Sequence, residues 1–494
     1  MKRPNRNKLS ITISAALLIA TLAAVRVNAD PFNLPDFGSS ADTVMSSAEE
    51  RQLGRAFMRS VRKSLPVIDD PLLTDYLQDL GTRLTSASGA ATGNFTFFFI
   101  DQSVVNAFAG PDGYIGIYSG LVTTSQSEAE LAAVVAHEIA HVTQRHLMRA
   151  FEDQQRLSGP ATALLIAAAI LGAQVDANLG AAAIAGVQAA TVQRQINFTR
   201  QNEEEADRVG ITALAVAGFD PFAMPGFFQR LSKASRSYEN NAPDFLLTHP
   251  VTANRIADAL ARAEHYNHKQ RPDDLRFHLA RARLRELNKR DPKKAATHFK
   301  SNLDAGRYRN RTAETYGYAL ALSRLEQYAE ARDLARNLLE QHPNLAEFII
   351  LDARLDAKLG AQNDAIRKLQ TAVGLRPDNL PLRVAYAEAL NTAGKHQRAL
   401  ATLEDAVRLQ RGSAQIYQLM SDAAFKSGKK AATHRYRGEK LYEQGDLEPA
   451  IRQMQLALKI RGLGFHEASE IQVRLSALEK EQADEKKKKK MKKS

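Results

Sequence analysis

A mainly α-helical chain is predicted, with a small α+β domain followed by an α-solenoid. Three observations predict it. A metal-type histidine pair lies on an apolar helix at His137 to His141, two short apolar segments with β character precede it, and a 34-residue period runs through the C-terminal half. At 494 residues the chain has room for two or three domains.

The first 29 residues read as a secretory signal peptide. Lys2, Arg3, Arg6 and Lys8 form a basic start, Leu9 to Val25 are mostly apolar, and Val27-Asn28-Ala29 supplies small residues for cleavage after Ala29. Export is the expected fate, with peripheral membrane contact as a further expectation. The net charge of +12 belongs to the two ends. Lys2, Arg3, Arg6, Lys8 and Arg26 lie in the leader, and Lys486 to Lys490, Lys492 and Lys493 in the tail, which leaves the folded middle balanced. The charge is therefore no sign of a nucleic-acid partner, and none is expected. Residues 481–494 are expected to be a disordered lysine-rich tail. The chain has no cysteine. Its fold must rest on core burial, and any metal must be held by nitrogen and oxygen donors.

After a lead-in over residues 30–41, Ser47-Ala48-Glu49-Glu50 reads as a capping box opening a helix that carries Leu53, Phe57 and Val61. A second helix is expected around Leu72 to Leu84. Asn94 to Asp101, with four aromatic residues, reads as a buried strand, and Tyr114 to Tyr118 as another, reached through a Gly110–Gly113 turn. The strand from Gly113 to Tyr118 is a candidate edge on which an extended substrate could pair.

Ser127 and Glu130 read as a capping box for the next helix, and Leu131, Val134 and Val135 carry its apolar face into His137-Glu138-Ile139-Ala140-His141. Histidines four apart on a helix point the same way and can share one metal ion, with the glutamate between them placed to take a proton from water. This is the HExxH pattern of zinc peptidases. The bland alternative, a surface helix with two solvated histidines, fits poorly with so apolar an approach. Zinc needs a third protein ligand. The helix holding Asn202 to Asp207 offers Glu203, Glu204 and Glu205; Glu203 and Asp207 share a face, so Glu203 can bind metal while Asp207 accepts the spare N–H of a ligand histidine. On spacing alone, Glu205 stays a rival. His146 reads as structural.

Ala161 to Ala173 and Leu179 to Ala190 are apolar runs too short to cross a bilayer, so packed helices are expected. Beyond residue 270 a period appears. Pro343 and Pro377 are 34 apart, as are Ala331, Ala365 and Ala399, and Ala319, Ala353 and Ala387. A 34-residue helix–turn–helix period is the tetratricopeptide signature. A degenerate pair around Ala295 and Phe299 starts the array, and the phase breaks before Ala450, which lies 51 residues past Ala399. Domain limits follow: 1–29 signal peptide, 30–268 metal-site domain, 269–480 repeats, 481–494 tail.

These pieces together resemble the BepA-like metallopeptidases, periplasmic relatives of the HtpX and CAAX-prenyl-protease type. The likeness rests on NAFA at 106–109, AHEIAHVTQRHL at 136–147, NEEEADRVGI at 202–211 and THP at 248–250, with a signal peptide before and repeats behind. The resemblance implies a zincin-type domain with one Zn2+ per chain, His137, His141 and Glu203 as ligands, Glu138 as catalytic base and Asp207 in support. It also implies that His249 sits at the fourth zinc position in a self-blocked state. The stretch from Asn106 to Leu121 is closer to HtpX-type members, which allows different substrate choice.

The function so implied is a zinc metalloendopeptidase that degrades stalled or unfolded outer-membrane β-barrel precursors and helps their assembly, its repeats docking on assembly machinery. The alternative is a chaperone or scaffold acting through the repeats with repressed proteolysis. A zinc-dependent peptidoglycan hydrolase is a weaker third reading, since no glycan-binding element is evident.

Overall fold

The structure, a computed structural model, describes residues 46–89, 94–152, 200–237, 243–267, 271–409 and 412–491. The apolar runs at 161–190 and the predicted signal peptide lie outside the described residues. No helix among those described is long and apolar enough to cross a membrane.

Helix α1 (Ser47–Ser64) opens on a capping box one residue earlier than predicted: Ser46 is the cap and Glu49 its reciprocal partner. Ser46 precedes Glu49 by the three residues the motif requires, and Ser47 already lies inside the helix. Helix α2 (Pro71–Ala87) is capped by Asp70, which accepts from Leu72 and Leu73 N–H, with Pro71 at the first helical position. A small sheet follows. Strands β1 (Thr96–Ile100), β2 (Ala107–Ala109) and β3 (Tyr114–Tyr118) lie in the order β1-β3-β2, β1 parallel and β2 antiparallel to β3. This corrects the expected edge: β3 is central, and β2, hidden in the sequence by its three-residue length, is the edge that packs against the histidine-bearing helix. Gly81 lets α2 lie directly on Phe97 of β1, whose ring would collide with any Cβ there.

Helices α3 (Ser119–Thr124), α4 (Glu128–Thr143) and α5 (His146–Glu152) come next, followed by α6 (Arg200–Val216), α7 (Ala223–Ser237), α8 (Asp244–Thr248) and α9 (Ala253–Ala263). The core gathers Leu77, Leu80, Ile115, Ile117, Leu131, Val135, Ile139, Ile211 and Phe228 around α4, which is buried along nearly its whole length. Helix α10 (Leu275–Asn288) belongs to two cores at once. Phe277, Ala280 and Leu284 enter the core around α4, while Leu279 and Ala282 enter that of the first repeat.

Ten antiparallel helices from Pro292 to Leu458 then stack as repeats. The alanines foreseen at the helix crossings, Ala319, Ala331, Ala353, Ala365, Ala387 and Ala399, are all buried. The 34-residue phase runs on one repeat further than predicted. Ser421 and Thr433 take the next two small-residue positions, and the Ser421 hydroxyl donates to Thr433 O at 3.3 Å. Buried hydroxyls fit there because they are hydrogen-bonded. A residue with positive φ closes the first helix of each repeat, Gly360, Gly394 and Gly428; the same place one period earlier is Glu326 at φ 62°. A non-glycine there costs on the order of 1 kcal/mol.

The predicted disordered tail from residue 481 is also corrected. The final helix runs from Phe465 to Met491, and Ile471, Leu475 and Leu478 seat it on the last repeat. Past that contact Glu481 pairs with Arg59 and Asp484 accepts from Gln52, both on α1. Lysine is itself a good helix former, so tertiary anchoring at its start is enough to extend the helix.

Candidate metal centre

Helix α4 begins at Ser127, whose hydroxyl accepts from Glu130 N–H at 3.3 Å. The predicted box is only half formed. The Glu130 carboxylate turns instead to Gln126 N–H at 2.6 Å and to Arg230. Ten residues on, His137 and His141 face the same side, with their Nε2 atoms 3.0 Å apart. Gly210 of α6 packs against the backbone of His137, where a Cβ would stand 3.2 Å from His137 N. That close approach brings Glu203 and Asp207, on the same face of α6, up to the pair.

Glu203 Oε1 lies 3.4 Å from His141 Nε2, and Oε2 lies 3.6 Å from His137 Nε2. His249, the residue that ends α8, points Nδ1 into the same space, 3.1 Å from Glu203 Oε1 and 3.3 Å from His137 Nε2. One ligand atom from each of His137, His141, Glu203 and His249 lies within 4.8 Å of the others, and all four residues are buried. This is the one group among the described residues able to hold a metal ion. Glu205 is turned away, so the structure separates the two carboxylates that spacing left as rivals. Glu204 is partly exposed and takes no part.

The surroundings orient the donors. Asp207 Oδ1 is 3.0 Å from His137 Nδ1. That carboxylate is close enough to orient the Nδ1 side of the ring, short of a well-formed hydrogen bond, and turns Nε2 to the cluster; a metal ion binding there would displace the proton that Asp207 and Glu203 favour on the ring. Arg255 of α9, almost fully buried, grips Asp207 with two bonds, Nε at 2.7 Å and Nη2 at 2.8 Å. Its Nη1 lies 2.7 Å from Glu203 Oε2. In the sequence Arg255 reads only as one polar residue of an amphipathic helix.

His146 does more than fill space. Its Nδ1 is 2.8 Å from His141 Nδ1, and its Nε2 is 3.1 Å from Glu205 Oε2, which also accepts from Arg149 at 3.0 Å. Glu205 accepts from His146 Nε2–H; His146 Nδ1 then accepts from His141 Nδ1–H, leaving His141 Nε2 as a lone pair toward the cluster. Each histidine of the motif thus has its own carboxylate behind it, His137 directly and His141 through His146.

Charge in the site follows from this packing. Burial alone would lower the pKa of His137, but Asp207 and Glu203 outweigh it and hold the imidazole at about 9. His141 falls to about 3, because burial is joined by the nearby His137 and His249. Burial would raise Glu203, yet His249 and the bonds from His137 and His141 hold it well below the usual range. Burial raises Glu138, against the pull of His249 and His137. Neither Glu138 oxygen makes a well-formed hydrogen bond; the Ala109 backbone N–H pulls its pKa down only weakly against burial, and His249 Nε2 lies 3.4 Å from Oε1. A buried carboxylate with no well-formed hydrogen bond beside four converging N and O donors, in a chain without cysteine, fits a hard or borderline divalent cation such as zinc and a reacting group beside it.

The comparisons with known proteins agree with this geometry. Residues 71–263 match the model of peptidase family M48, and residues 356–423 match a tetratricopeptide repeat model. The beta-barrel assembly-enhancing protease of Escherichia coli (strain K12) is 39% identical over 400 residues, covering 81% of this chain and 81% of that protein. The putative beta-barrel assembly-enhancing protease of Vibrio cholerae is 36% identical over 465 residues, covering 93% of this chain and 94% of that one. The mitochondrial metalloendopeptidase OMA1 of Arabidopsis thaliana is 27% identical over 218 residues, covering 43% and 41% of the two chains. With a buried His–His–Glu cluster, an M48 match and such relatives, the chain is a zinc metallopeptidase carrying tetratricopeptide repeats, and it belongs to the family of the beta-barrel assembly-enhancing proteases.

Proposed function

We propose that the chain is a periplasmic endopeptidase acting on outer-membrane β-barrel precursors that stall or misassemble, and that it also helps barrels assemble. The names of its relatives support this reading, and the N-terminal leader expected from the sequence supports export. The repeats bind proteins, here the assembly machinery or the precursors themselves. The peptidase domain spans about residues 30–268, with α10 as the joint to the repeats.

His137, His141 and Glu203 hold the zinc ion and Glu138 is the catalytic base. The observation that carries this is the position of Glu138, buried without a well-formed hydrogen bond beside the donor cluster. What a bound zinc ion supplies there is Lewis acidity, polarising the scissile carbonyl and lowering the pKa of water. Glu138 takes a proton from the attacking water and gives it to the departing amine. Asp207 with Arg255, and His146 with Glu205, keep the two imidazoles in the tautomers that face the metal. An extended substrate pairs with the β2 edge, which recognises backbone and tolerates varied sequence. Glu138→Gln, compared with wild type for zinc content and for cleavage of unfolded protein, tests the assignment. Retained cleavage would overturn it.

A second reading, repressed proteolysis with a mainly assembly role, is favoured by His249, whose ring fills the space between Glu203 and Glu138. Cutting the chain at residue 270 would not separate the two roles, because it removes Phe277, Ala280 and Leu284 from the peptidase core. The comparison to make is full-length Glu138→Gln against absence of the chain, reading the amount of assembled β-barrel protein in outer membranes. Full rescue by the inactive chain would favour the assembly role.

A further inference from the structure

Residues 123–126 leave α3 and enter α4. Carbonyls at the end of a helix have no partner within it and ordinarily turn to water. Here four consecutive carbonyls accept from four different arginines. Arg285 Nη2 donates to Thr123 O at 3.1 Å, Arg230 Nη1 to Thr124 O at 3.2 Å, and Arg281 Nη1 to Ser125 O at 3.2 Å, while Arg309 Nη1 donates to Gln126 O. Arg230 comes from α7. Arg281 and Arg285 lie one turn apart on α10, and Arg309 lies in the turn between the first two repeat helices, Pro292–Asp304 and Arg311–Arg324.

Three of the four arginines therefore lie outside residues 71–263, the stretch that matches the peptidase family. Gathering them has a cost. Burial, then the neighbouring Arg285 and Arg309, pull Arg281 down to about 10. Solvent could have satisfied the exposed members of this carbonyl run without such repulsion, so the arginines do something water does not: they fix the backbone. The stretch they fix joins β3, which carries the β2 edge, to α4, which carries His137 and Glu138. Helix α10 is a single rod packed in both the peptidase core and the first repeat core, so a shift of the repeats reaches this junction directly.

We propose that Arg281, Arg285 and Arg309 are positioning residues of the peptidase, through which α10 and the first repeat set the placement of the catalytic helix against the substrate-binding edge. The repeat array is then part of the active-site scaffold, and its state sets turnover. This rests on the roles given above to His137 and Glu138. Those roles are checked separately by zinc content and by Glu138→Gln.

The test uses the full-length, zinc-loaded chain with fluorescent casein as substrate. Arg309 is exposed, so Arg309→Ala should fold, as should Arg285→Ala/Arg309→Ala. The double variant should lose about tenfold in kcat, since small misplacements of reacting groups reach losses of that order or more, with KM changing less than about twofold. Amide exchange over residues 119–130 should quicken, the melting temperature should hold, and Arg→Lys at both positions should recover most of kcat, one donor being enough for one carbonyl. Asn379→Ala is the control. It removes a cap that accepts from Leu382 N–H at 3.0 Å in a later repeat, away from α10 and the Arg309 turn, and should leave kcat unchanged. Wild-type kcat and exchange in the double variant would overturn the proposal, as would an equal loss in Asn379→Ala or a loss that merely follows a lowered melting temperature.

Discussion

One imidazole lies against two buried carboxylates: His249 Nε2 is 3.4 Å from Glu138 Oε1, and its Nδ1 is 3.1 Å from Glu203 Oε1. The ring cannot stay there while water and a scissile carbonyl enter. Phe245 stacks on it at 4.9 Å between ring centres, and Phe245 N–H donates to Val105 O, so α8 holds the ring in place from beside β2. His249→Ala should raise basal cleavage of casein severalfold with zinc content unchanged. Equal or lower cleavage in a zinc-loaded variant would show that the ring does not block the site.

Glu138→Gln keeps the shape of the buried side chain and removes its basicity. Zinc should stay stoichiometric, because the amide lies outside the donor cluster, and cleavage should fall by about 10²–10⁴-fold, the usual worth of a positioned general base. Metal analysis and cleavage assays on the same preparation decide it.

Local features were legible in the sequence and tertiary ones were not. His137, Glu138 and His141, and the Glu203–Asp207 face, follow from helix periodicity alone, and the alanine period gave the solenoid. Arg255 and the His146–Glu205 pair acquire meaning only when helices far apart in sequence meet, and no spacing rule reaches across 48 or 59 residues. β3 reads in the sequence as a better strand than β2, yet pairing on both sides puts it in the middle. Ser421 and Thr433 hide a repeat from the alanine period, whereas the crossing requires only small size and satisfied hydroxyls.

The two carboxylates behind the motif histidines make a paired prediction. Asp207→Asn leaves His137 without its proton acceptor, and His146→Ala breaks the route from His141 to Glu205. Each should weaken zinc binding by about 10–100-fold, as loss of an outer partner generally does. Competition with a fluorescent chelator measures this without recourse to activity. A His146→Ala chain with wild-type affinity would return that residue to a packing role.

Asp70 and Arg283 tie α2 of the peptidase domain to α10, and their side chains are nearly buried. Burial would raise the Asp70 pKa, but the charge and hydrogen bonds of Arg283 outweigh it, so the folded value lies below 3.8. A carboxylate depressed on folding adds stability that is present above its unfolded pKa and is lost as pH falls through the folded one, here below about 4. Asp70→Asn isolates that contribution, since asparagine caps a helix as well as aspartate and the bonds to Leu72 and Leu73 N–H survive. At pH 6 the variant should be less stable by about 3 kcal/mol, the lower end for removing one partner of a buried pair. Between pH 6 and pH 3 it should lose less stability than wild type. Urea unfolding followed by tyrosine emission gives both numbers, the chain having 13 tyrosines and no tryptophan. Parallel pH profiles for the two proteins would mean that the Arg283 pair does not govern the acid sensitivity of this joint.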